Sequence, residues 1–366
     1  MQTIPSSLAL LALSTAFTGI AISQTQNPAQ VPPNEKPIAP TVAAQSTLPF
    51  PAQLKKTVIF IQADCEPSAA ELAELPPDDL AKWHLHQNSL MRPTSLAKVE
   101  HPHSGTGFLI RVTDDRLPKE AAFIYLVTNR HVAQPGIEEG HPCKVFDYTL
   151  LVNSKEAVEG TNSILQTEHL GSGVSWTYPE DDSVDLAITP VTPGPTADYL
   201  TISIDQFVTA DMISQHQVVE GDPVLFAGLF IWFHGSKRLE PIVRSGALAM
   251  LPSEPVQTTL RKLGQVYFAD TFSFGGNSGS PILVDVRRFG GQGGYDFKLL
   301  GVVAGFVPES NDFTLQVATD YTGTIKENSG ICVIVPVEEL RKLLLSPDLK
   351  RERDEAVANF LKNQKQ

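Results

Sequence analysis

From residue 57 onward, short runs of β-branched and apolar residues alternate with clusters of Gly, Pro, Asn and Asp. The runs fall at 57–62, 107–112, 122–128, 144–152, 185–189, 223–229, 241–250, 265–269, 281–286, 298–306 and 331–335. Short runs bounded by turn-forming residues predict strands, and many of them in series predict an all-β sandwich or barrel. Helical spacing is concentrated at the end. Residues 338–345 repeat apolar positions at helical intervals, and Ser346 followed by Pro347 reads as an N-cap with proline in the first turn. Leu349, Val357, Phe360 and Leu361 supply the apolar stripe of a helical tail over 346–366 that packs on the domain. Residues 64–103 separate two strand-like runs and read as an insertion. Within it, 66–82 carries a helical pattern interrupted by Pro76 and Pro77.

The first fifty residues have a different texture. Residues 8–22 form an uncharged apolar run, shorter than the about 20 residues of a membrane span. Ala21 and Ser23 place small side chains at the −3 and −1 positions of a cleavage before Gln24. Residues 1–23 are therefore read as an export signal, against the alternatives of a short buried helix or an uncleaved anchor. Seven prolines lie between 28 and 51, so 24–55 is expected to be an extended linker.

Charge and cysteine content narrow the functions. The 366-residue chain carries 28 Lys plus Arg against 41 Asp plus Glu, a net charge of −13. That balance argues against nucleic acid, which needs a basic patch to displace counterions, and against an anionic membrane surface. Three cysteines allow at most one bridge. Cys65 and Cys143 lie in the same half of the chain, which leaves a bridge open in an oxidising compartment, whereas Cys332 sits in an apolar run and reads as a buried small hydrophobe. His84, His86, His101 and His103 form two His-x-His pairs. No thiol or carboxylate motif completes a zinc site, so they are read as surface histidines, and 180–182 as a solvated acidic turn. No metal or organic cofactor is expected.

Three short segments carry chemistry. His131 ends the run 126–132, Asp185 opens an apolar run after a polar turn, and Ser278 lies between glycines in Gly275-Gly276-Asn277-Ser278-Gly279. Taken singly, each has a bland reading: a structural histidine, a turn-capping aspartate, a glycine-rich turn. Taken together they supply a base, a carboxylate to orient it and a hydroxyl that needs a base to become a nucleophile. The N–H groups of Gly276 and Ser278 are candidates for an oxyanion hole. The order His131, Asp185, Ser278 fits the chymotrypsin-type layout and neither the subtilisin nor the α/β-hydrolase order.

At these residues the sequence resembles the chymotrypsin-like (trypsin-fold) serine peptidases, most closely bacterial HtrA/Deg-like trypsin-like peptidase domains without a PDZ domain. Residues 104–110 resemble the family's S-G-T-G-F strand, 127–132 its T-N-x-H-V, 184–188 its D-x-A, and 276–281 its G-N-S-G-G-P. Residues 300–303 resemble the strand lining the substrate cleft, and 330–336 the strand leading into the last helix. The resemblance covers roughly 56–345. It implies two six-stranded antiparallel β-barrels with a C-terminal helix and a cleft between the barrels. It further implies an exported endopeptidase, secreted or periplasmic, acting on protein or peptide substrates through an acyl-enzyme. His131 and Asp185 would come from the first barrel and Ser278 from the second.

Departures from the family pattern refine this. Asn277 stands where digestive members carry the Asp that pairs with a newly cut N-terminus, so no activation of that kind is expected. Ala304 stands where many relatives carry a Ser that supports the buried Asp, which leaves Asp185 without that support. The resemblance implies a primary pocket near Phe272, Ala304, Phe306 and Gly330, with Phe272 at its base. An apolar base offers no counter-charge to Lys or Arg, so an apolar or small P1 residue is expected. Activity should fall as His131 protonates, with a midpoint near ~6.5 for an unperturbed imidazole. A catalytically silent binding or chaperone-like module on the same fold is the second reading.

Overall fold

The computed structural model describes residues 48–66, 73, 76–78, 102–119, 121–158, 160–171, 173–287, 296–316 and 320–364. The export signal, most of the linker and most of the insertion, with His84, His86 and His101, lie outside them.

The described chain folds as fifteen strands and a few helices in the order α1 (Phe50–Thr57), β1 (Val58–Cys65), β2 (Pro102–Val112), β3 (Phe123–Thr128), α2 (Arg130–Ala133), β4 (Val145–Asn153), β5 (Leu165–His169), β6 (Ala187–Pro190), β7 (Ile202–Ser203), α3 (Ala210–Ser214), β8 (Pro223–Gly228), β9 (Ile242–Met250), β10 (Val256–Gln257), β11 (Leu263–Gly264), β12 (Tyr267–Asp270), β13 (Pro281–Asp285), β14 (Phe297–Gln316), β15 (Asp320–Pro336), α4 (Val337–Leu344) and α5 (Pro347–Asn363). Every apolar run singled out in the sequence overlaps a strand.

The second half closes as expected. β12-β15-β14-β13-β8-β9 form a six-stranded closed barrel. The first half departs from the expected barrel. Its seven-stranded sheet runs β5-β4-β1-β2-β3-β6, with β7 beside β2, and its path does not close among the described residues. Pro190, Pro193 and Pro195 supply a physical reason, since each removes a donor that would extend β6 into a longer ladder. A single bridge, Thr177 to Ile188, covers part of that edge instead.

The linker expected over 24–55 also ends early, because α1 starts at Phe50. Pro51 sits in the first turn, where a missing N–H costs nothing. Leu54 is buried, and Phe50 stacks on Phe297 at 4.1 Å, which ties α1 to the barrel.

One apolar core spans both halves and includes Phe60, Phe108, Phe207 and Phe226. The tail helix α5 has Ser346 at its N-cap, as expected, and buries Leu349 and Val357. Its Arg353 is buried as well, donating to the Tyr125 hydroxyl of β3 at 3.0 Å. No described helix is long and apolar enough to cross a membrane.

Cys65 at the end of β1 is bonded to Cys143 just before β4, across 78 residues of chain. Closing a loop of that length removes about 4–5 kcal/mol of unfolded-state entropy in the chain-entropy model. Reduction with dithiothreitol should lower urea-unfolding stability by about 2–5 kcal/mol. An unchanged transition midpoint would show that the bridge contributes nothing. Cys332 is free and buried, and burial pushes its thiol up to about 12.

Candidate active site

β3 delivers His131. The strand ends at Thr128, and buried Asn129 stands at the N-cap position of the short helix α2, which turns the histidine out of the sheet. The Asn129 amide donates to the Asp185 carbonyl at 2.7 Å, so the histidine turn and the aspartate turn are held together by backbone as well as side chains. His131 approaches Asp185 twice. Its backbone N–H donates to Oδ1 at 3.0 Å, and its Nδ1 lies 2.6 Å from Oδ2. An ionised carboxylate only accepts, so Nδ1 carries the proton and Nε2 presents a lone pair.

Asp185 is 1% exposed, and a buried charge needs partners. Besides His131 it accepts the hydroxyl of Thr259 at 2.7 Å. Thr259 lies in the turn between β10 and β11, and an ion pair between Lys262 and Asp182 fastens that hairpin to the acidic turn before Asp185. The support expected to be missing at Ala304 is thus supplied from a different loop. Burial raises the Asp185 carboxyl, but the charge and hydrogen bonds of His131 and the Thr259 hydroxyl outweigh it and hold it below the usual carboxylate range. For His131, burial opposes the imidazolium. The Asp185 charge and hydrogen bond, with a contribution from Glu138, outweigh burial and raise its pKa above the ordinary 6.5.

Ser278 is half-buried in the turn before β13. Its hydroxyl donates to the Ala304 carbonyl at 3.1 Å. Ala304 lies at an irregularity of β14, between Val303 and Gly305, where an extra residue re-aims the chain toward the serine. Among the described residues no hydrogen bond joins Ser278 to His131. Gly276 and Gly279 both have left-handed backbone, φ +89° and +88°. At Gly279 a Cβ would fall 1.8 Å from the Thr106 carbonyl oxygen, so only glycine fits. The N–H groups of Gly276 and Ser278 have no protein acceptor among the described residues. Asn277 is buried, donating to the Leu229 carbonyl and accepting from the Phe274 N–H, so it is satisfied without an ion pair.

Thr106 of β2 joins the two halves at this point. Its N–H donates to the Ser278 carbonyl at 2.8 Å and its hydroxyl to the Gly276 carbonyl at 2.7 Å, while the Leu229 N–H donates to that hydroxyl. A Cβ on neighbouring Gly105 would fall 2.7 Å from Val132 and 3.3 Å from the Ser278 carbonyl oxygen, which places the residue after His131 within one side chain's width of the serine loop. His131, Asp185 and Ser278 therefore gather around one junction. Sequence reasoning gave Thr259 no role, and no local signal marks it, since its partner lies 74 residues away in the chain. Asn129 and Thr106 stood inside quoted motifs without an assigned task.

The expected pocket residues lie around Gly330 and the bend of β14. Ala304 is buried, whereas Phe306 is exposed. Phe272, expected at a pocket base, is 52% exposed instead. Its ring lies over Gly330, where a Cβ would make ordinary contact with it at 3.4 Å, and it stacks on Phe274, which Arg244 covers from 4.9 Å. A separate apolar cleft of about 270 Å³, lined by Val208, Ile213, Tyr267 and Val337 among others, shares no residue with this site. No group of three His, Cys, Asp or Glu placed to hold a metal occurs among the described residues.

Fold and site together define a mostly β protein with a six-stranded barrel, a buried Asp–His pair and a serine held between left-handed glycines. No protein-family model matches the chain, and no curated protein matches it. Among solved structures it is similar to Deg5, at 13% identity over 81% of this chain and 92% of that one, with a TM-score of 0.40. It is also similar to an inactive mutant form of Rv3671c from M. tuberculosis H37Rv, at 13% identity over 84% and 96%, TM-score 0.38. A third is the HtrA-type protease AlgW with a decapeptide, at 13% identity over 81% and 66%, TM-score 0.39.

Proposed function

We propose that the protein is a serine endopeptidase. The observation that carries this reading is the buried Asp185 holding His131 through Nδ1, which leaves Nε2 as a base next to the Ser278 loop. On substrate binding the Ser278 hydroxyl turns from the Ala304 carbonyl to His131 and attacks the scissile carbonyl. His131 takes the proton, and the Gly276 and Ser278 N–H groups receive the oxyanion. Collapse of the tetrahedral species expels the amine, which leaves with the proton from His131. Water then enters, His131 again removes a proton, and the ester to Ser278 is hydrolysed to a free carboxylate. Phe272, Ala304, Phe306 and Gly330 border the side chain on the acyl side and favour an apolar or small residue. The disulfide and the apolar run at 8–22 support export to an oxidising compartment.

The test is labelling of purified protein with a fluorophosphonate, which reports an activated serine next to an oxyanion hole. Labelling of Ser278 is the expected result. A folded protein that stays unlabelled would overturn the reading in favour of a silent binding module.

The acid limb of kcat/KM gives a second check. His131 must be neutral to accept a proton, and its pKa is raised, so activity is lost as pH falls through a midpoint above 6.5. A profile flat from pH 5 to 8 contradicts His131 as the base.

A further inference from the structure

Three consecutive apolar side chains, Ile231, Trp232 and Phe233, are 55%, 90% and 62% exposed. Apolar area held in water is costly, and contiguous patches of it mark interaction sites. These residues form the tip of the loop between β8 and β9. The base of the loop is fixed to the first half of the fold, where the Lys237 carbonyl accepts the N–H groups of Ile164 and Leu165 and the Leu239 N–H donates to the Asn153 side chain. The tip is closed by the Phe233 N–H donating to the Phe230 carbonyl at 3.0 Å. It rests on the serine loop, since a Cβ on Gly276 would meet Ile231 at 2.9 Å.

The strand order tells which side of Ser278 this tip occupies. β13 begins at Pro281, just after the serine, and lies between β14 and β8 in the barrel. Both neighbours pass the serine end of β13, with Val302 of β14 paired to Pro281 and Phe226 of β8 paired to Ile282. Beyond Val302 come Ala304 and Phe306, and beyond Gly228 come Leu229 and the exposed tip. The two apolar groups flank Ser278 from opposite sides.

We infer that Ile231, Trp232 and Phe233 form the surface that receives the substrate segment on the carboxyl side of the cut, and that they select apolar residues there. The inference rests on the peptidase reading above, in which the acyl side lies along Ala304–Phe306. A polypeptide placed that way across Ser278 carries its leaving segment over the tip.

The experiment digests reduced, alkylated casein with the wild type and with a Trp232→Ala/Phe233→Ala double variant, and maps the cuts by mass spectrometry. Both side chains are exposed, so folding is unaffected, and equal rates of fluorophosphonate labelling show that Ser278 is intact in both. The expected result is enrichment of apolar residues in the first three positions after wild-type cuts. In the variant that enrichment falls about ten-fold, the size of a lost apolar contact, with amino-side preference unchanged. An identical cut pattern in both proteins overturns the inference. So does an identical pattern combined with loss of binding to phosphatidylglycerol vesicles in the variant, which would assign the tip to a lipid surface. A wild type that labels but shows no apolar enrichment overturns the inference and leaves the peptidase reading standing. A wild type that neither labels nor cuts overturns both.

Discussion

Ser278→Ala should reduce peptide hydrolysis by roughly a million-fold, because an attacking hydroxyl and its base act as one unit. The structural cost should be small. The side chain is half-buried, and among the described residues its one hydrogen bond is the 3.1 Å contact with Ala304. The Ser278 carbonyl still accepts from Thr106, so the junction between the two halves persists. The backbone N–H groups of Gly276 and Ser278 also remain, and they should sustain a residual rate about 10³-fold above water alone. The measurement is kcat on a quenched-fluorescence peptide that the wild type cuts, paired with a thermal melt. An intact variant losing less than ten-fold would show that Ser278 is not the nucleophile.

Asp185→Asn should cost about 10⁴-fold in kcat. The carboxylate accepts from the His131 ring, the His131 N–H and the Thr259 hydroxyl at once. The amide offers one acceptor and one donor group. With the donor facing His131, the ring proton moves to Nε2, and the imidazole can no longer take a proton from serine. The same change removes the charge that raises the His131 pKa, while the opposing effect of burial stays. The acid limb of the residual activity should therefore shift to lower pH than in the wild type. Both readouts come from one pH series. A large loss of rate with an unmoved midpoint would mean that Asp185 acts only by positioning the ring.

Much of this arrangement was legible because it is encoded locally. β-branched runs such as 122–128 and 281–286 form strands where they stand, and the neighbours of His131, Asp185 and Ser278 are what single them out as candidates. What stayed hidden depends on contacts distant in sequence. Thr259 reads as an ordinary turn residue until folding brings it to Asp185. α1 was masked by Pro49 and Pro51, which suggest a linker although proline is compatible with a first helical turn. β14 was expected to end at Phe306 and continues to Gln316, paired with β15 over residues whose polar composition lacks an apolar alternation. In the first half, closure is implied by the resemblance alone, and the prolines after β6 oppose it. The pocket shows a similar limit. Position places Phe272 near Gly330, but the folded structure leaves its ring 52% exposed beside Phe274.

The Arg353–Tyr125 contact sets a schedule for the chain as it is made. The two residues are 228 positions apart, and the guanidinium from α5 completes the hydrogen bonding of a hydroxyl buried in β3. Until α5 has emerged, the strand that delivers His131 lacks this partner, and Ser278 has already been made by then. A chain made amino end first therefore completes the packing of β3 only once α5 is present. On the peptidase reading proposed above, full activity is expected only once that helix has docked.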